Sequence, residues 1–188
     1  MNQTQLDPRA PLVLDTRELG RRPGSQHEVH RSVPAPADLG IEVLAVPEGS
    51  PVELDLRLEA VMEGVLITGT ATATLEGECV RCLEPLRDDL NTRFQELFLN
   101  EDGDSNPEDD EESGVGRLVG DLIDLEPLLR DAVVLALPFQ PLCEDDCPGL
   151  CIECGVRLKD DPEHGHEEPI DPRWAGLTSF SAEPDNKD

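Results

Sequence analysis

The sequence predicts an α+β protein: an antiparallel β-sheet or small barrel-like domain with one covering helix and a Cys-rich zinc-knuckle segment toward the C-terminus. Three observations carry this expectation. Val52, Leu54, Leu56 and Leu58 alternate with Glu53, Asp55, Arg57 and Glu59, the period of a half-buried strand. Leu128, Leu129, Ala132, Val133 and Ala136 follow a helical spacing that Pro138 ends. All six Cys fall in two clusters, Cys79-Val80-Arg81-Cys82 and the run holding Cys143, Cys147, Cys151 and Cys154.

Taken in chain order, residues 1–11 read as a flexible N-terminus, with neither the basic head nor the apolar stretch of a secretory signal or membrane anchor. The expected compartment is therefore the cytoplasm. Residues 12–99 read as the β-rich domain. Leu12 to Leu14 and Ile41 to Val46 are short strands separated by the Arg21-Arg22-Pro23-Gly24 loop. Val65 to Leu75 is a β-branched run entered by a Glu63-Gly64 turn, which pairs it with the preceding strand as a hairpin or meander. Leu86, Leu90, Phe94, Leu97 and Phe98 have near-helical spacing but suit a strand and turn equally well. Residues 100–117 read as a disordered acidic linker, since Glu101 to Glu112 holds eight carboxylates interrupted by Gly and Pro. Residues 118–142 hold the helix that packs on the sheet, with Asp124 as its cap and Pro127 in its first turn. Residues 143–180 form a Cys/His-rich metal-binding segment with an Asp-Pro-Arg-Trp tail, and 181–188 a disordered C-terminus.

Charge narrows the function. The 188 residues hold 15 basic and 42 acidic side chains, a formal net charge of −27. Such a surface repels phosphate backbones, because phosphate contacts need Lys or Arg. Any nucleic-acid contact is local or indirect. Leu, Ile, Val and Phe number 50 of the 188, about 27%, above the ~20% below which highly charged chains tend not to fold.

In a reducing compartment clustered Cys are metal ligands or redox thiols before they are disulfides. Two residues between thiolates let both sulfurs of one turn face a single ion at about 2.3 Å, the zinc–sulfur distance. Gly155, directly after Cys154, lets such a turn take a positive dihedral. With His164 and His166 the six Cys make eight candidate ligands, enough for two tetrahedral zinc ions. The preferred pairing places Cys79, Cys82, Cys143 and Cys147 on one ion and Cys151, Cys154, His164 and His166 on the other. In the rival pairing Cys143, Cys147, Cys151 and Cys154 share one ion and leave Cys79 and Cys82 free.

No catalytic residues are assigned. A catalytic zinc keeps one position open for water, and thiolate-rich sets leave neither that position nor much Lewis acidity. A nucleophile elbow, a phosphate-binding Gly-rich loop and a His-Glu-x-x-His pair are all missing from the sequence. The expectation is a non-catalytic protein with no small-molecule substrate.

The order Gly77-Glu78-Cys79-Val80-Arg81-Cys82-Leu83, an acidic gap, Ile123-Asp124-Leu125, Leu135-Ala136-Leu137-Pro138, Pro141-Leu142-Cys143, Gly149-Leu150-Cys151 and Asp171-Pro172-Arg173 resembles the YceD family over roughly residues 12–180. The resemblance implies a factor supporting synthesis, processing or accumulation of large-subunit ribosomal RNA. Family forms with the Gly-Leu-Cys segment usually carry a later Cys-x-Cys, and His164-Gly165-His166 occupies a comparable place here. Joined to the net charge, this role points to a basic partner, a ribosomal protein or assembly factor. Arg21 and Arg22 are candidates for a limited RNA contact, and Asp171, Arg173 and Trp174 for a partner contact, Trp being common at binding hot spots. The alternatives are a zinc-ribbon nucleic-acid-binding module and a thiol redox or metal-handling protein.

Overall fold

The computed structural model describes residues 6–20, 22–100 and 116–166. The acidic stretch Glu101 to Glu112 lies outside the described residues. The strands are β1 (Val13–Asp15), β2 (Gln26–Pro34), β3 (Leu39–Ile41), β4 (Leu44–Val46), β5 (Pro51–Ala60), β6 (Gly64–Glu78), β7 (Pro85–Leu99) and β8 (Leu122–Asp124), followed by the helix α1 (Glu126–Ala136). Two compact units divide the chain at residues 147 and 148. All these elements belong to the first.

Strand β6 organises the sheet. One edge pairs with β7 along its whole length, from Gly64↔Leu99 to Glu78↔Pro85. The other edge is shared, β5 taking Val65 to Thr72 and β4 taking Glu76 and Gly77. Every ladder between these strands is antiparallel, in the order β2-β5-β6-β4-β3 with β7 on the far side of β6, and β1 and β8 form a separate pair. The barrel-like alternative is thereby corrected: among the described residues the sheet stays open, its path running from β2 to β3 without the two pairing, and α1 packs against β7 and β3.

The alternation in β5 does what its period demands, burying Val52, Leu54, Leu56 and Leu58 to 3% exposure or less. Register sets Leu54 beside Ala71 and Leu58 beside Ile67. Leu56 faces Gly69, where a Cβ would stand 2.6 Å from the Leu56 side chain and 2.9 Å from the Phe94 ring, so glycine makes room for both. The ambiguous Leu86 to Phe98 run is a strand. Leu90, Phe94 and Phe98 share its inner face at multiples of two, and the helical look came from Leu97, which lies on the other face. The Ile41 to Val46 stretch is a tight hairpin rather than one strand, its registered pair Ile41↔Leu44 spanning Glu42 and Val43.

Asp124 is not the helix cap. Leu125, one residue later, occupies that position without a side-chain bond, while the Asp124 carboxylate accepts from the Glu126 amide at 2.9 Å. Leu129 and Val133, one turn apart, bury α1 against the sheet. Arg130 fastens the other side, donating to the Asp38 and Ala37 carbonyls at 2.9 and 2.8 Å and pairing with Glu126 at 2.7 Å. Leu137 turns extended ahead of Pro138, which a residue preceding proline favours.

One substitution tests the β6–β7 ladder. A Cβ at Gly64 would lie 1.9 Å from the Phe98 carbonyl oxygen, a backbone atom with no freedom to swing aside. Gly64→Ala is expected to destabilise by about 1–3 kcal/mol. A urea midpoint equal to wild type would show that the close approach carries no weight.

Candidate metal centres

In the first unit a turn and a helix bring four sulfurs together. Cys79 and Cys82 sit in the connection between β6 and β7, which closes through the Cys79 amide on the Glu84 carbonyl and the Leu83 amide on the Cys79 carbonyl, both 2.9 Å. Cys143 and Cys147 follow α1. The two segments are joined by the Val80 amide on the Pro141 carbonyl at 3.0 Å and by the Arg81 guanidinium on the Cys147 carbonyl at 3.0 Å. The sulfurs of Cys79 and Cys147 stand 3.8 Å apart and those of Cys82 and Cys143 3.6 Å. Ligands at ~2.3 Å from a tetrahedral zinc are separated by about 3.8 Å, so the spacing fits. Cys79, Cys82 and Cys147 are at most 2% exposed.

The thiols are strongly perturbed. Burial pushes Cys79 up, but the amides of Cys143, Cys82 and Arg81 and the Cys82 thiol outweigh it and bring it down to about 6. Cys143 is pushed up to about 12 by burial and by the sulfurs of Cys147, Cys82 and Cys79. The Glu84 amide and the Cys143 thiol pull Cys82 down, yet burial and the sulfurs of Cys79 and Cys147 leave it raised. Four thiolates this close repel one another, and a cation among them is the chemistry that lets all four ionise.

The second unit builds a different set. The Cys151 to Gly155 turn closes by the Gly155 amide on the Cys151 carbonyl at 2.9 Å, and Cys151 donates to Val156 at 2.8 Å. The Cys154 sulfur lies 3.2 Å from His164 Nε2, which lies 2.9 Å from His166 Nε2. Behind the rings, His164 Nδ1 faces Asp161 at 3.5 Å and His166 Nδ1 faces Glu153 at 3.3 Å. Carboxylates behind imidazoles orient rings whose other nitrogen binds a metal. In the sequence nothing singles out Glu153 from the other acids of so acidic a stretch. The amides of Cys154 and Glu153, helped by the Cys154 thiol and His164, bring Cys151 down to about 6 against desolvation.

Both sets offer four ligand atoms within 4.8 Å of one another and could hold a metal ion. Their membership follows the first of the two pairings that ligand counting allows. They differ in shelter: Cys154 is exposed, whereas three of the four residues in the first set are buried. Of the proposed contact residues, Arg22 is exposed in the turn ahead of β2, and Arg21, Asp171, Arg173 and Trp174 lie outside the described residues.

The family model for the large ribosomal RNA subunit accumulation protein YceD matches residues 67–181. The chain belongs to the YceD family. The YceD match contains all eight candidate ligands together with most of β6, all of β7 and α1. Similarity to individual relatives extends further. An uncharacterized protein of Mycobacterium tuberculosis is 50% identical over 171 residues, 91% of this chain and 82% of the relative. An uncharacterized protein of Mycobacterium leprae is 43% identical over 173 residues, 92% of this chain and 79% of the relative. A maize protein named as a chloroplastic YCED homolog, a large ribosomal RNA subunit accumulation protein, is 25% identical over 129 residues, 55% of this chain and 41% of its own. No solved structure matches. Among the described residues no helix is long and apolar enough to cross a membrane.

Proposed function

We propose that this YceD-family chain is a non-catalytic cytoplasmic factor supporting synthesis, processing or accumulation of large-subunit ribosomal RNA, stapled by two structural zinc ions. Family membership, with the large-subunit RNA role in the family's description, carries the reading. The name of the maize relative agrees with it. The donor sets argue for staples over catalysts: each supplies four protein ligands, and one is all sulfur. A chain of net charge −27 reaches ribosomal RNA through a basic intermediary, a ribosomal protein or assembly factor.

Depleting the protein and quantifying both ribosomal RNAs tests the role. Large-subunit RNA is expected to fall severalfold relative to small-subunit RNA, and an unchanged ratio overturns the reading. The zinc assignment has its own test. With a colorimetric chelator in excess, one zinc per chain should leave quickly from the exposed Cys151/Cys154/His164/His166 set and the second slowly from the buried set. His164→Ala with His166→Ala should remove the fast phase and leave the slow one. Two equally fast phases would contradict the ordering by burial.

A further inference from the structure

The two Cys-x-x-Cys turns share one geometry and differ at one informative position. Each closes with a 2.9 Å bond from the amide after the second Cys to the first Cys carbonyl. That following residue takes a left-handed φ, 74° at Gly155 and 57° at Leu83. Glycine suits this conformation and leucine is strained in it. Leu83 does not recover that strain by burial, since it is 53% exposed. A strained residue whose large apolar side chain faces solvent is suited to a role outside the fold.

Further exposed apolar residues lie in the same turn and along the stretch of chain to which the turn is bonded. Val80, at the tip of the same turn, is 39% exposed, and its amide bond to Pro141 holds the tip against the segment leaving α1. Phe139, two residues before Pro141, is fully exposed, and Leu135, in the last turn of α1, is 85% exposed. Large side chains scattered singly over a surface are ordinary, but a group of them marks an interaction site. Acidic residues flank the group in sequence: Asp131 one helical turn before Leu135, and Glu144, Asp145 and Asp146 ahead of Cys147, all four exposed.

We propose that Val80, Leu83, Leu135 and Phe139 form a docking surface for a basic protein segment that sets aliphatic or aromatic side chains between Lys or Arg residues. The apolar centre takes the anchors and the acidic flank takes the charges, the arrangement of a desolvated interface core with a charged rim. This deepens the reading above by giving its basic partner a place to bind, and rests on it.

The test uses the full-length zinc-loaded chain carrying a photo-cross-linking amino acid at position 83, 139 or, on the other face of the sheet, 72. Two probes are used separately: the protein fraction stripped from large ribosomal subunits, and the RNA of those subunits. Positions 83 and 139 are expected to cross-link to a Lys/Arg-rich peptide of one ribosomal protein, and position 72 to none. Leu83→Gly should keep two zincs and raise Tm, yet weaken binding of that protein tenfold or more. Cross-links confined to position 72, or unchanged binding by both Leu83→Gly and Phe139→Ser, overturn the surface while leaving the basic-partner reading intact. Cross-links from 83 and 139 to RNA or to a second copy of the chain overturn the occupant. If no protein of the fraction binds the wild-type chain, the basic-partner reading falls, and this inference with it.

Discussion

Cys79→Ser is expected to lower bound zinc from two ions per chain to one and to destabilise the first unit by at least what the loss of a covalent cross-link costs, about 2–5 kcal/mol. Cys79 has no exposed surface and receives the amides of Cys143, Cys82 and Arg81 on its sulfur. A hydroxyl there is a poor zinc ligand, and its loss leaves three crowded sulfurs sharing an incomplete site. The ion would tie together residues 61 positions apart, Cys82 and Cys143, on the two sides of β7 and α1. Zinc held by a site that forms only on folding contributes its binding free energy to folding. Elemental mass spectrometry and urea unfolding read the two effects separately. Two zincs retained by the variant would remove Cys79 from the ligand set, and zinc loss with an unchanged midpoint would deny the staple its mechanical role.

Leu129→Ala is expected to cost about 2–5 kcal/mol. Helix α1 has 11 residues, fewer than the roughly 12–15 at which isolated helices become even marginal in water. Its stability comes from docking, and docking rests on Leu129 at 1% exposure and Val133 at 0%. Because α1 leads directly to Cys143, loosening it should also speed chelation of the slow zinc while leaving the fast one unchanged. Leu135→Ala, on the same helix but 85% exposed, is the control and should change stability by no more than about 0.5 kcal/mol. Equal urea midpoints for the two variants would mean that the helix is not held through Leu129.

What could be read from the sequence follows from how much of each element is recorded locally. Strand β5 was legible because one of its faces is dry and the other wet, and the alternation is written out residue by residue. Strand β2 was not, because it is an edge strand with only Val29 and Val33 as apolar residues facing inward, and its identity depends on β5 beside it. The Leu86 to Phe98 run stayed ambiguous because Leu97 on the opposite face mimics helical spacing, and only pairing with β6 resolves it. An open sheet and a barrel differ in which edges meet, a long-range property that local periodicity does not carry. The candidate site was more legible, since cysteine spacing is itself a short-range geometric constraint. Its outer partners were hidden: Asp161 and Glu153 stand behind the imidazoles but look in sequence like any other acids of an acidic chain. The left-handed backbone at Leu83 was equally invisible, because leucine gives no warning of it.

The β5–β6–β7 meander has a consequence for how the protein is made. Its strands are consecutive, so the sheet can assemble while the rest of the chain is still being translated, with Cys79 and Cys82 already held in their turn. Cys143 appears 61 residues after Cys82, a delay of about 3–12 s at ordinary rates of synthesis. For that interval the nascent chain displays a pair of thiols whose partners do not yet exist, open to oxidation or to capture of the wrong ion. A metal staple on these four Cys would therefore be the last lock to close on the first unit, since its ligand set is complete only once Cys147 has emerged.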